Sequence, residues 1–292
     1  MKKLLLISVF VFVCAFSALS VTAQVYIPRE SQGASVTQRL GDALITVTYH
    51  RPNVKGRKIW GGLVPYDQVW RVGANDSTNF ETNVDVTING QKLPAGKYAL
   101  FAIPTAGEWT WIFNKNAGQW GTEYEQNKAQ DVLKVSAKPM PGDMTEALNY
   151  EFESVTPTSA QVVLRWERLR VPFTVDVGDV NGRVLGKLRD AAMSAKPDDF
   201  RAPASAAAFV LNNKMTASYA DAMTWIDKSL AIKEAFGNTR VKALLAAEMG
   251  NTKDAITWGE KALAIAKAAT PPITGDPVAQ LEKSVADWKA KK

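Results

Sequence analysis

The chain predicts two folds in series, an antiparallel β-sandwich and then an α-helical array. Three observations carry this expectation. From about residue 35 to 176 the apolar residues alternate one in two. After about Gly178 alanine becomes dense and the apolar spacing changes to three and four. Asn89-Gly90 stands between two short apolar runs, where its tolerance of positive φ makes it a hairpin turn.

The elements follow in order. In "ALITVTYH", Ile45, Val47 and Tyr49 face one way and Thr46, Thr48 and His50 the other, which is a half-buried strand. "VDVTI" repeats the pattern with Val84, Val86 and Ile88, and "LNYEFESV" with Leu148, Tyr150 and Phe152. "YALFAIP" is apolar on both faces and reads as a central strand. "EWTWIF" puts Trp109, Trp111 and Phe113 on one face as a large core contribution. Short strands separated by turns make a sandwich over about residues 30–176.

In the second half, "YADAMTWIDKSLAIKEAFG" (219–237) and "TKDAITWGEKALAIAKA" (252–268) align. Ala222/Ala255, Trp225/Trp258, Lys228/Lys261, Leu230/Leu263 and Ile232/Ile265 are each 33 residues apart. That offset is close to the helix-pair period of tetratricopeptide repeats. Ala255 and Ala262 fall on the motif's small positions and Gly250-Asn251 on its turn, whereas Gly259 stands where the motif wants a bulky residue. The expectation over 180–292 is therefore a degenerate tetratricopeptide-like array. Further helices are expected at about 203–213, 238–248 and 277–290, and a first helix mixed with linker over 177–202.

The N-terminus, MKKLLLISVFVFVCAFSALSVTAQ, has two lysines, an apolar run from Leu4 to Phe16 and the small-residue site Val21-Thr22-Ala23. This is a signal-peptide pattern over residues 1–23 with cleavage after Ala23. It makes the protein exported, periplasmic or secreted, with no integral membrane span in the mature chain. Removing the first 23 of 292 residues leaves 269 and takes away Cys14, the sole cysteine. No disulfide, thiol nucleophile or thiolate metal site is then expected. The formal charge is +6, and it falls to +4 without Lys2 and Lys3. So mild an excess is no nucleic-acid footprint.

Chemistry concentrates in "HRPNVKGRKIWGGLVPYDQVWRVGAND" (50–76). His50 is a lone imidazole at a strand end, expected to face solvent. As a general base it needs an orienting carboxylate, Asp67 or Asp76, and without a second histidine it makes no zinc site. Arg51, Lys55, Arg57 and Lys58 can hold an acid group or simply solvate a loop. Trp70 and Arg71 next to Gly73, Asn75 and Asp76 combine an apolar wall with polar groups, as ligand pockets do. Equally, Trp70 can plug the sandwich end while Asn75 and Asp76 form turns. The polar loop 114–131 carries Trp120 and Tyr124 and is expected to fold back over the Trp70–Asn75 region. No cofactor motif or metal set is present.

Four ordered motifs, "YHRPNVKGRKIWGGLVPYDQVWRVGAND", "LPAGKYALFAIP", "WTWIFNKN" and "WGTEYEQNKAQDVLKV", resemble the DUF2911 family over about residues 30–176. That is a family of exported proteins of uncharacterised function. The resemblance implies a β-rich domain and no activity or catalytic residue. His50-Arg51-Pro52 departs from the family's usual Ser-Arg-Pro, which makes histidine optional there. The leading functional reading is non-catalytic binding in the cell envelope. A small polar or saccharide-like ligand would sit at Trp70, Arg71, Asn75, Asp76, Arg51, Trp120 and Tyr124, and a protein partner would dock on the helical part. The alternative is an envelope hydrolase using His50 with Asp76 and an Arg51/Arg71 clamp.

Overall fold

The computed structural model describes residues 28–291. The expected leader, with Cys14, lies outside the described residues. Ten strands come first: β1 (Gln32–Leu40), β2 (Ala43–Arg51), β3 (Thr78–Thr82), β4 (Val86–Ile88), β5 (Gln91–Leu93), β6 (Gly96–Ile103), β7 (Trp109–Asn114), β8 (Asp131–Ala137), β9 (Met140–Glu153) and β10 (Ser159–Asp176). They form two antiparallel sheets. The larger runs β1-β2-β3-β6-β7-β8 and the smaller β5-β4-β10-β9.

The alternation expected in β2 holds. Ile45, Val47 and Tyr49 are buried, whereas Thr48 is exposed. β4 and β5 close through Asn89 (φ 46°) and Gly90 (φ 83°), both left-handed as a tight hairpin requires. β6 is a central strand, paired on both edges and buried on both faces. One face supplies Tyr98, Leu100 and Ala102 to the main core, and the other packs Ala99 and Phe101 with Ile112 and Tyr124.

The two sheets share one hydrophobic core. Phe173 of the smaller sheet meets Trp111 and Phe113 of the larger at 5.2 and 5.6 Å between ring centroids, both edge to face. Such geometry adds about 0.5–1.5 kcal/mol per pair beyond area burial. After β2 the chain leaves the larger sheet and pairs with β9. Val54 N–H donates to the Glu146 carbonyl (2.8 Å), and Leu148 N–H donates to that of Pro52 (2.9 Å). This crossing of chain between sheets sets the place of the candidate site.

Six helices follow the sheets: α2 (Val180–Met193), α3 (Arg201–Asn212), α4 (Tyr219–Ile232), α5 (Phe236–Glu248), α6 (Thr252–Ala268) and α7 (Asp276–Ala290); α1 (Tyr124–Asn127) is a single turn between β7 and β8. Asp179 caps α2, its carboxylate accepting from Gly182 N–H at 2.8 Å. The segment 219–237 is not one continuous helix. α4 stops at Ile232, and buried Asn238 fills the break, donating to Ser229 Oγ and the Lys233 carbonyl. Gly250 (φ 78°) turns the chain between α5 and α6 as expected. Ala255, Gly259 and Ala262 are buried on α6. A Cβ on Gly259 would lie 2.5 Å from Val285 of α7, so the bulky residue of the repeat motif has no room there. The helices have hydrophobic clusters of their own. Asp42 in the β1–β2 turn joins the two parts, accepting from Arg183 (2.9 Å) and Lys187 (2.8 Å) of α2. Burial pushes the Asp42 carboxyl up, but bonds from these two cations outweigh it and hold it below the usual carboxylate range. No helix among the described residues is long and apolar enough to cross a membrane.

Candidate functional site

A cleft of about 260 Å³ opens where the chain crosses from β2 to β9. Its apolar wall is Pro52, Leu63, Val64, Trp70 and Trp166. Its polar groups are Glu30, Ser31, Asn53, Arg57 and Arg71. The exposed lining is more polar than apolar, with Val64 and Trp166 buried beneath it, so polar groups rather than the apolar wall dominate what a ligand would meet.

The wall is built from tryptophans that arrive from distant parts of the chain. Trp70 pairs with Ala102, the two backbones exchanging hydrogen bonds at 2.8 and 2.9 Å, and so extends the larger sheet beyond β3. Its ring stacks on Trp166 (5.8 Å, 16°) and meets the edges of Trp60 (5.7 Å) and Trp109 (6.3 Å). Trp166 comes from β10, where the register with β9 slips on either side of Glu167 (φ 54°). Such bulges re-aim side chains, often beside a site. Trp70 therefore packs against the core and also lines the cleft.

Arg71 is held by the backbone that follows it. Val72 is fully buried with φ 45°, a conformation that a β-branched residue rarely adopts. Its carbonyl accepts from Thr78 Oγ1 (3.2 Å) and the Tyr150 hydroxyl (3.0 Å). Gly73 sits so close to Thr78 that a Cβ there would lie 2.7 Å from Thr78 Oγ1. Strain of this kind persists only where the surroundings over-determine it.

The polar loop after β7 does fold over this segment. Trp120 bridges Asp76, and Ser77 Oγ donates to the Ala117 carbonyl at 3.5 Å. A Cβ on Gly121 would lie 2.0 Å from Arg71 Cδ and 2.9 Å from the Asn75 carbonyl, so the loop presses on the arginine's stem.

The Arg71 guanidinium has no partner among the described residues. Its Nε is buried without an acceptor, and no carboxylate oxygen lies within 4.0 Å. Burial pushes its pKa down from the usual value, yet an arginine stays charged. Arg57 also lines the cleft without a carboxylate partner. It spends Nε on the Val54 carbonyl (3.1 Å) and Nη2 on that of Asn53 (2.5 Å). Glu30, the acidic group of the lining, is bonded to Lys55.

The other expected residues fall elsewhere. His50 is not solvent-facing. Its side chain is 17% exposed, with Gly33 against the ring and Nε2 3.9 Å from Asp76 Oδ2. Burial pushes its pKa down against the pull of Asp76, and nearby Arg29 adds to the depression. Asp76 accepts from Arg29 at 3.1 Å, and the Arg29 guanidinium lies 5.3 Å from the Trp120 ring. Asn75 (φ 58°) donates to the Ser31 carbonyl at 3.2 Å, a backbone role. Arg51 lies outside the cleft, its Nε donating to the Leu148 carbonyl at 3.1 Å. Tyr124 is buried on the far face of β6, packed on Phe101 with its hydroxyl donating to Asp131 at 2.7 Å. The structure thus brings Trp70 and Arg71 to one cleft, and His50, Asp76 and Trp120 to a separate cluster around Arg29.

Sequence reasoning missed Ser31, Asn53 and Trp166 as site residues. The alternation in "VLRWE" marks Trp166 as a strand residue and says nothing of the bulge that turns it toward Trp70.

Nothing among curated proteins or solved structures matches the chain. Residues 31–175 match the family described as "Protein of unknown function (DUF2911)". The match covers all ten strands except the last residue of β10, and with them the whole approach to the cleft from Ser31 to Trp166. The β-rich part of the chain belongs to the DUF2911 family.

Proposed function

We propose that the protein is a non-catalytic binding protein of the cell envelope, which takes a small polar or saccharide-like ligand in the Trp70–Arg71 cleft. One observation carries this reading: a half-buried arginine with no internal partner among the described residues lines a cleft beside Trp70. A folded chain ordinarily pairs its buried cations and hydrogen-bonds its buried polar groups. The signal-peptide pattern of residues 1–23 supports export.

In this reading the two sheets form a sandwich over about 30–176, and the helices over 180–292 form a tetratricopeptide-like array. The shared aromatic core supports the first, and the small buried positions of α6 support the second. The array would carry the docking face for a protein partner.

The test is a titration of ¹⁵N-labelled protein with glucose, N-acetylglucosamine and glucuronate. Saturable shifts at the Trp70 indole and the Gly73 amide are expected, and Trp70→Ala should abolish them. Shifts confined to other surfaces, or none at all, would sink the reading.

A hydrolase using His50 and Asp76 has one observation in its favour, their 3.9 Å approach. Against it, Arg29 holds the same Asp76 oxygen at 3.1 Å, and Arg51 is bound to backbone rather than joining Arg71 in a clamp. If His50→Ala abolished a measurable hydrolysis while leaving thermal stability intact, that alternative would replace the binding reading.

A further inference from the structure

The geometry points to an organic acid as the ligand: a carboxylate, sulfate or phosphate group held by Arg71, with the ligand's carbon body against Trp70 and Leu63. This rests on the binding reading above and names the chemistry of the same cleft.

The argument is one of charge and donors. Two guanidiniums, Arg71 and Arg57, line the cleft and neither has a carboxylate within 4.0 Å among the described residues. The acidic lining residue, Glu30, is neutralised by Lys55. Arg57 and Glu30 are exposed, so the charge that is partly desolvated is that of Arg71, and there an opposite charge is worth more than in water. Arg71 Nε is a buried donor without an acceptor among the described residues, and its two terminal nitrogens make no hydrogen bond there either. Those two nitrogens lie side by side, a fork that fits two oxygens of one acid group. A neutral sugar hydroxyl satisfies one such donor and leaves the charge uncompensated.

The body of the ligand follows from the walls. Leu63 is 48% exposed and lines the cleft, an apolar surface left open beside a cation. Trp70 and Trp166 continue that surface inward. An acid group carried on a ring or short carbon skeleton meets both requirements.

Fit is also enforced from behind. Gly121 lies against the arginine stem at Cβ and Cδ, so the guanidinium is positioned before any ligand arrives. Preorganisation of this kind reduces the ordering that binding would otherwise require.

Matched pairs of probes test the acid group. Calorimetric titrations of the wild-type protein would compare benzoate with benzamide, glucuronate with glucose, and phenyl phosphate and phenyl sulfate with benzyl alcohol. At least about tenfold tighter binding of each preferred acid over its neutral partner is expected, with Arg71→Leu removing the difference and Arg71→Lys keeping part of it. Which acid binds tightest assigns carboxylate, sulfate or phosphate. Equal affinity of acid and neutral partners, still lost in Trp70→Ala, would overturn the acid-group inference and leave the cleft reading standing. Silence from every probe would overturn both. The wild-type comparisons decide the matter even if a variant folds poorly.

Discussion

Arg165 and Arg71 lie in the same β-rich part of the chain and are treated in opposite ways. Arg165 on β10 donates to Glu151 at 3.0 Å and to Glu153 at 2.5 Å, and Arg170 shares Glu153. Burial pushes the Arg165 pKa down, but these carboxylates outweigh it and raise it. Arg71 is desolvated with nothing in return. Cross-strand neighbours made a carboxylate cheap to place beside Arg165, since Glu151 and Glu153 follow from the β9 alternation. Beside Arg71 the chain places tryptophans and a strained Val72 instead. The difference separates a cation that ties strands together from one with no internal counter-charge among the described residues.

Gly121 gives the strongest way to break that contrast. Gly121→Ala would force its Cβ against Arg71 Cδ and the Asn75 carbonyl. Overpacking of this kind costs about 1–3 kcal/mol, readable by urea unfolding. Binding of whichever acid the wild type prefers should weaken about tenfold as the arginine shifts. Unchanged affinity would mean the loop does not position Arg71.

Glu153→Gln should come next. It leaves Arg165 with Glu151 alone and Arg170 without its carboxylate. The groups are partly exposed, so a loss of about 1 kcal/mol is expected, shrinking in high salt. No ligand effect should accompany it.

Arg71→Leu should show the reverse pattern. Since Arg71 makes no internal hydrogen bond or ion pair among the described residues, stability should stay within about 0.5 kcal/mol of wild type or rise slightly. A large loss of stability would show that Arg71 is structural like Arg165 and would remove the contrast.

The smallest effect concerns His50. Its folded pKa lies below the ordinary value near 6.5 because burial disfavours the charged ring. The unfolded chain therefore takes up the proton first, and stability falls as pH drops below about 6.5. Thermal melts between pH 7 and 5 should show this decline, reduced in His50→Gln. An equal decline in the variant would assign it to carboxylates.

What could be read from the chain divides along physical lines. The core was legible because local periodicity encodes it: Ile45, Trp111 and Phe113 announce their faces, and Asn89-Gly90 announces its turn. Trp70 and Arg71 were legible as a pair because they are adjacent. Tyr124 and Asn75 looked like ligand groups, but an aromatic in a polar loop can equally anchor that loop, as Tyr124 does on Phe101. Trp166 and Ser31 were not legible as site residues. Their place depends on a bulge and on the crossing of β2 toward β9, which are tertiary events without a local signature. His50 misled in the same way, since alternation placed it on the polar face and could not show that Gly33 and Asp76 cover it.

The Arg71 Nε–H resonance tests the central claim most directly. It belongs to the guanidinium that lines the cleft and has no acceptor among the described residues, so an acid group bound to that guanidinium must move it. In a ¹H–¹⁵N spectrum of the side-chain Nε–H groups, titration with benzoate or glucuronate should shift the Arg71 signal downfield and saturably, while that of Arg165, already bonded to Glu151, stays fixed. An Arg71 signal that stays still while acid binds elsewhere would contradict the account.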